Sequence, residues 1–448
     1  MRRILIGLIV LVSALNAASQ TGTKNKVNKA TTKQAKTKPS LPVKPNIIYI
    51  LADDLGIGEL SAYGSDSNRT PVIDKLAKEG IRFQNVYTAP LCGPSRALVL
   101  TGRYAFRTGA VNQDMCGNLK PSEEVMIPAV LKPAGYVSSM IGKWGQLPLN
   151  PSDFGFDDYI RFKGSGVYWN GDKNANEKYT VNGMDKELGK NYMPDLMHDH
   201  MVNWVSKNKN KPFFLYYSLV QVHGKIQATP DSKPGSDIYA DNIAYMDKLV
   251  GKLLKTLDSL KLREKTLIVF MSDNGTAGGY AKRATIGGKK LSGKKGDMLE
   301  CGGLVPAIAN WPGVIAPDQV SKTLIDASDL LPTFAEAAGA ALPGKKVLDG
   351  QSFFPQLLSK KGNPREWIFC ELGNKWYVRD ARWKLNREGE LFDMANAPFE
   401  EKLMKNYSDN KEATEAFSRL KAVLDKLNPA GGILDNGDGS GRHANRKD

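Results

Sequence analysis

Cysteine and histidine are scarce in this chain: 448 residues carry four of each. Cys92, Cys116, Cys301 and Cys370 are too few for a disulfide framework, so one is expected to be chemically special, with room for a single disulfide among the four. No pair has CxxC spacing, which removes a zinc-ribbon reading. Acidic residues are missing before Asp53, whereas nine lysines and arginines precede residue 45. Without that segment the formal charge of +15 falls to +6. The basic character therefore belongs largely to the leader, and a nucleic-acid partner loses most of its support. The modest excess that remains suits an anionic substrate.

Long apolar runs are missing too. The run at residues 4–15 is too short to span a bilayer. With Arg2 and Arg3 before it and small residues after it, it reads as a signal peptide over residues 1–19, cleaved close to Ala17, Ala18 or Ser19. Residues 20–44 hold Lys, Thr, Asn and Ala without an aromatic, as in a flexible leader. The mature protein is expected to be exported, periplasmic or extracellular, with no stable membrane insertion after cleavage.

What is present is alternation. NIIYILADD (46–54) is a continuous apolar run ending in paired aspartates, as expected of a strand buried on both faces. TPVIDKLAKEG follows with Thr70 as N-cap, Pro71 just inside and Gly80 as the stop. Strand-like runs recur at IRFQNVYT, YVSSMIGKW, PFFLYYSLVQVH and KTLIVFMSDNG, with a long amphipathic helix between the last two. The pattern predicts an α/β fold with a large, mostly parallel sheet sandwiched by helices. After residue 362 aromatic and charged residues alternate around Gly and Asn, which predicts a small C-terminal antiparallel α+β subdomain. The expected division is a main domain at 45–361, a subdomain at 362–430 and a disordered tail at 431–448.

Four polar groups fall at or beyond ends of predicted strands: Asp53 with Asp54, Lys143, His223, and Asp273 with Asn274. Open α/β sheets bind ligands at those ends. Paired aspartates repel unless a positive charge lies between them, and an all-oxygen set favours a hard cation such as Ca²⁺ or Mg²⁺ over zinc.

CGPSR followed by TGRY resembles the Cys-x-Pro-Ser-Arg signature of the type I sulfatases, of the alkaline phosphatase-like superfamily. The order agrees as well: PNIIYILADDLG, TPVIDKLAKEGIRFQNVYT, GKW, a strand ending in His, SDNG, KKGDMLECGGLVP and WPG. The resemblance implies that Cys92 is oxidised to formylglycine by a maturation enzyme and that its hydrate supplies the nucleophile. It implies Asp53, Asp54, Cys92, Asp273 and Asn274 as ligands of one Ca²⁺. Arg96 is implied beside the modified side chain, which lies at a helix N-terminus whose free N–H groups favour an anion. Lys143 and Lys295 are implied to hold sulfate oxygens, with Lys294 one residue from the second assignment, and His223 to assist the departing alcohol. The implied reaction is sulfate ester hydrolysis, on a sulfated saccharide, with Tyr168 and Trp169 as residues able to stack on sugar rings.

Three positions depart from the pattern. Gly145 stands where the family has a histidine after GKW, and Gln146 beside it can orient a hydroxyl but cannot act as a base. His223 is followed by Gly-Lys, and Leu304 stands where arginine is common. Replacement bases would have to come from His198 or His200, since His443 falls in the tail. Two other functions share these residues: a phosphonate or phosphate ester hydrolase, and a non-catalytic Ca²⁺-dependent glycan-binding protein.

Overall fold

The computed structural model describes residues 44–170, 178–435 and 437, so the expected signal peptide, nearly all of the leader and most of the tail lie outside the described residues. Ten strands form the main sheet: β1 (Asn46–Ala52), β2 (Ile81–Tyr87), β3 (Val137–Lys143), β4 (Asp158–Phe162), β5 (Lys178–Val181), β6 (Met184–Glu187), β7 (Phe213–Ser218), β8 (Thr266–Ser272), β11 (Leu304–Asn310) and β12 (Gln319–Asp326). β9 (Thr285–Ile286) and β10 (Lys289–Lys290) make a separate small hairpin. The order across the sheet is β12-β2-β11-β8-β1-β7-β3-β4-β5-β6. Pairing is parallel except where β11 inserts between β8 and β2 and where β5 and β6 close one edge.

Burial on both faces explains the sequence of the central strands. Every residue of β1, β7 and β8 is buried. In β1, Ile47, Tyr49 and Leu51 join the core on one face, and Ile48, Ile50 and Ala52 the core on the other. Among the described residues, six helices of eight residues or more flank the sheets: α1 (Pro71–Lys78), α2 (Cys92–Thr101), α3 (Met193–Asn208), α4 (Ile238–Ser259), α5 (Leu330–Ala338) and α6 (Lys411–Leu427). α2 and α5 pack into the first core; α1, α3 and α4 pack into the second.

The C-terminal region forms an antiparallel five-stranded meander: β13 (Ile368–Leu372), β14 (Lys375–Arg379), β15 (Trp383–Asn386), β16 (Leu391–Asp393) and β17 (Lys402–Leu403). Ala413, Ala416 and Leu420 of α6 pack on it with Val378 and Leu385. A buried junction holds the meander to the main sheet. Tyr87 and Arg379 both donate to the Glu300 carboxylate, and Arg379 donates to the Tyr87 hydroxyl at 2.6 Å.

Helix α1 is capped from a distance. Thr70 does occupy the N-cap position, but its hydroxyl donates to Asp74 Oδ1 at 3.1 Å and accepts no helix N–H. The first amides, Val72 and Ile73, instead donate to the Asp247 carboxylate of α4 at 3.0 and 2.8 Å. Asp247 thus locks α1 against α4. Replacing it with Ala leaves two buried donors without an acceptor, at a cost of about 1–3 kcal/mol. The expected outcome is a lower melting temperature with far-UV circular dichroism unchanged; equal melting of Asp247→Ala and wild type would show that Thr70 or water takes over the cap.

Candidate active site

The C-terminal ends of β1, β3 and β8 meet the start of α2 at one edge of the sheet. Successive strand residues point to opposite faces, so Asp53 and Asp54 would diverge if β1 continued. Instead Asp54 is left-handed, at φ 61°, and turns its carboxylate toward that of Asp53. Its amide donates to Asp273 Oδ1 at 3.1 Å and that of Leu55 to Ser272 Oγ at 3.0 Å, which holds the turn in place. One ligand atom each from Asp53, Asp54, Cys92 and Asp273 lie within 4.8 Å of one another, and all four residues are buried. Asn274 donates its amide to Asp54 Oδ1 at 2.8 Å, while its own Oδ1 is buried without a partner among the described residues. A set of carboxylates with an orphaned amide oxygen fits a hard cation.

Three cations lie around these acids. Lys143 Nζ is 2.5 Å from Asp53 Oδ2, and Lys295 Nζ is 2.6 Å from Asp54 Oδ1. Arg96 Nη2 bonds Asp273 Oδ2 at 2.7 Å and approaches Asp53 Oδ2 at 3.6 Å. Burial and the Asp273 charge push the Asp53 carboxyl well up. For Asp54 burial acts the same way, but Lys295 and His223 outweigh it, and its carboxyl sits below the usual range. Burial likewise opposes ionisation of Asp273, yet Arg96, Lys143 and Lys295 hold it low. Lys294, the neighbouring alternative, pairs with Asp297 at 2.9 Å, so Lys295 is the lysine brought to the site.

Cys92 is the first residue of α2, with Sγ 3.6 Å from Asp53 Oδ1 and 3.7 Å from Asp54 Oδ1. Burial pushes its thiol up to about 12, against the pull of Lys143 and Lys295, so as a cysteine it stays protonated at neutral pH. The expectation of free N–H groups here is corrected in part. Gly93 N–H donates to Gln113 Oε1 at 2.8 Å, Ser95 N–H to Leu91 O at 3.0 Å, and Pro94 has none. The positive end of the helix dipole remains.

His223 lies five residues beyond β7, with a ring nitrogen within 4.8 Å of Asp53 and Cys92 ligand atoms. Burial, then Lys143, lowers its pKa to about 2, which keeps the imidazole neutral. The other two described histidines are elsewhere. His200 bonds Asp158 at the start of β4, the opposite end of the sheet, at 2.8 Å; His198 is buried in α3 near Lys252 and Asp195. Neither replaces a base at Gly145. Tyr168 is fully buried and donates to the carbonyls of Val220 and His223, so it offers no face to a sugar. Trp169 is partly buried against Tyr192, its ring centroid 4.8 Å away. Leu304 packs in a buried cluster with Tyr87 and Cys370. All four cysteines are buried and free, so the expected room for a disulfide is unused.

Sequence reading missed the residues that set Arg96. Its Nη1 donates to Lys143 O at 3.0 Å, Ser218 Oγ at 2.5 Å and Tyr216 Oη at 3.3 Å. Nothing in FFLYYS marks those two side chains. A signal did exist in the glycine of GKW: Gly142 has φ 108°, and a Cβ there would stand 2.0 Å from Ser218 O.

A metal bound here adds its binding free energy to stability, about 2.7 kcal/mol at a hundredfold excess over Kd. Chelator treatment is therefore expected to lower the melting temperature, and Ca²⁺ to restore it, with Asn274→Ala needing more Ca²⁺ for the same shift. A melting temperature indifferent to chelator and Ca²⁺ would mean that Lys143, Arg96 and Lys295 alone balance the carboxylates.

Comparison of the sequence and fold with known proteins returns sulfatases. The family model described as Sulfatase matches residues 45–340. N-acetylgalactosamine-6-sulfatase of Canis lupus familiaris is 33% identical over 354 residues, covering 71% of this chain and 66% of that protein, so the chain spans just under two thirds of that relative's length. Arylsulfatase A of Homo sapiens is 34% identical over 386 residues, covering 76% of this chain and 74% of the relative. Among solved structures, Ps i-CgsB in complex with k-i-k-neocarrahexaose superposes with a TM-score of 0.74 at 30% identity, covering 85% of this chain and 92% of that one. With the family model matching residues 45–340 and an arylsulfatase 34% identical over 76% of this chain, the chain belongs to the sulfatase family.

Proposed function

We propose that this chain is an exported sulfatase that hydrolyses sulfate esters of a sulfated saccharide, with Cys92 converted to formylglycine by a maturation enzyme and one Ca²⁺ held by Asp53, Asp54, residue 92, Asp273 and Asn274. The observation that carries the reading is the placement of Cys92: first residue of a ten-residue helix, buried, and within 3.7 Å of two carboxylates that three cations surround. A protonated thiol in that place has no evident chemistry of its own, whereas a modified side chain there can attack a tetrahedral anion. Relatives named as sulfatases, and a neighbour solved in complex with k-i-k-neocarrahexaose, support the substrate class. Among the described residues no helix is long and apolar enough to cross a membrane; export itself rests on the N-terminal sequence.

When bound, Ca²⁺ supplies positive charge that polarises oxygens at the site. The rest belongs to the chain. Lys143 and Lys295, ammonium groups paired with Asp53 and Asp54, can bind sulfate oxygens as well as their carboxylate partners. Arg96, tied by Ser218 and Asp273, fixes the charge balance beneath residue 92. His223 presents its ring toward the same point and hydrogen-bonds the bridging oxygen as the alcohol departs. The neutral imidazole keeps one N–H, which is what it can donate to that oxygen.

Mass spectrometry of the Cys92 peptide, from protein matured in a host with a formylglycine-generating enzyme, is expected to show the aldehyde and its hydrate. Cys92→Ala is expected to lower sulfate release from an aryl sulfate on the order of 10⁴- to 10⁶-fold while the protein stays folded. Release from the matching aryl phosphate is expected to be slower than from the sulfate. An unmodified thiol in an active preparation, or a Cys92→Ala protein that still turns over, would overturn the reading.

A further inference from the structure

Residue 145 is where this chain departs from its family at the site, and the space beside it is built in an unusual way. Gly145 has φ 73°, a conformation open to glycine. A Cβ there would stand 3.4 Å from Arg96 Cδ, 3.7 Å from Lys143 Cε and 3.8 Å from Arg96 Nε, so the position faces the first turns of α2 and contributes no side chain. Arg96 Nε itself is buried without a partner among the described residues. Gln146 lies next along the loop, partly buried. Its amide nitrogen donates to Ser165 Oγ at 2.7 Å, with the other end of the carboxamide turned inward. The inward end is the carbonyl: Gln146 Oε1 is buried, has no partner among the described residues, and lies 3.5 Å from where a Cβ on Gly93 would stand.

Gly93 and Arg96 are three residues apart and share a face of α2. One unused donor, Arg96 Nε, and one unused acceptor, Gln146 Oε1, thus flank the contact between residues 145–146 and the turn that begins with Cys92. A hydroxyl suits either, since it accepts from an N–H and donates to a carbonyl. Side chains that need nothing from a ligand are rarely left so.

We propose that Gln146 is a positioning residue that holds a hydroxyl of the hydrated Cys92-derived side chain, through Oε1, in the space left by the missing side chain at 145. The proposal rests on the formylglycine reading given above. Hydration adds water across the aldehyde: the new C–O bond forms, the carbonyl π pair takes one proton of the water, and two hydroxyls result. Gln146 accepts a hydrogen bond from one of them and thereby favours the hydrate. It takes no proton, because a carboxamide is no base near neutral pH. Ser165 acts one step further out, by fixing the amide.

An aminooxy probe reads this without any sulfate turnover, because it condenses with the free aldehyde and not with the hydrate. In matured full-length protein with Ca²⁺, Gln146→Leu is expected to label about 2- to 10-fold faster than wild type, the factor that loss of one neutral hydrogen bond gives. Gln146→Glu, which keeps an acceptor, is expected to label at or below the wild-type rate. Ser165→Ala frees the amide without touching residue 146 and is expected to label faster; should the leucine variant fail to fold, this one decides. Wild-type labelling rates in both Gln146→Leu and Ser165→Ala, with aldehyde present by mass in each, overturn the role of Gln146 and leave the function untouched. A wild-type protein with thiol and no aldehyde overturns the formylglycine reading and this inference together.

Discussion

Three carboxylates that would repel one another share one dry pocket, and much of the architecture around them exists to balance that charge. Asp53, Asp54 and Asp273 are each no more than 1% exposed. Water cannot screen them there, so the compensation must come from fixed groups. Lys143, Arg96 and Lys295 supply it from three different segments, β3, α2 and the loop before β11. Folding is thereby coupled to the site: strands β1, β3 and β8 cannot adopt their register without bringing these charges together. Removing any one cation leaves a buried acid uncompensated, so the three segments depend on one another through the pocket they share.

The same balance decides what residue 92 can be. Burial drives its thiol toward the neutral form, with the nearby acids adding to the effect and Lys143 and Lys295 pulling the other way. Reactivity by a lowered thiol pKa needs an electropositive, partly exposed setting. This pocket is buried, and its three carboxylates offset its three cations, so it suits a neutral oxygen-bearing side chain better than a thiolate. Electrostatics and the helix start therefore point to the same conclusion as the CGPSR pattern.

Much of the fold was legible because burial on both faces leaves a plain mark. In a chain of alternating strands and helices, continuous apolar runs as short as NIIYILA and FFLYYS fit a central strand and little else. The acids of the pocket were legible for a related reason, since Asp53 with Asp54, and Asp273, stand at the ends of such runs. Less visible were groups whose role depends on distance across the sheet. Ser218 and Tyr216 sit inside an apolar strand and differ from core residues only by one hydroxyl each, yet they hold Arg96. Asp247 caps a helix 174 residues away, where Thr70 carried the local signal. Tyr168 was misread because an aromatic next to glycines looks exposed, whereas its hydroxyl is spent on the His223 carbonyl. Local pattern shows what a residue is suited to; only the tertiary path shows which partner reaches it first.

That distinction also explains where this chain is free to differ from its relatives. Lys143 ends β3, carries a charge that Asp53 requires, and lies on a strand whose neighbours fix its height to within a residue. Two residues later that constraint has ended: Gly145 pairs with no strand and neutralises no acid. A histidine can be lost there without disturbing the buried charge balance, because a neutral imidazole contributes hydrogen bonds and not charge. What its loss does leave is unsatisfied bonding capacity, on Arg96 Nε and Gln146 Oε1. Buried donors and acceptors are costly unless a water or ligand joins them, so the gap selects for a small hydroxyl-bearing occupant in its place. A position that supplies no side chain is in this way still bound to the chemistry of the site, through the hydrogen-bonding groups left around it.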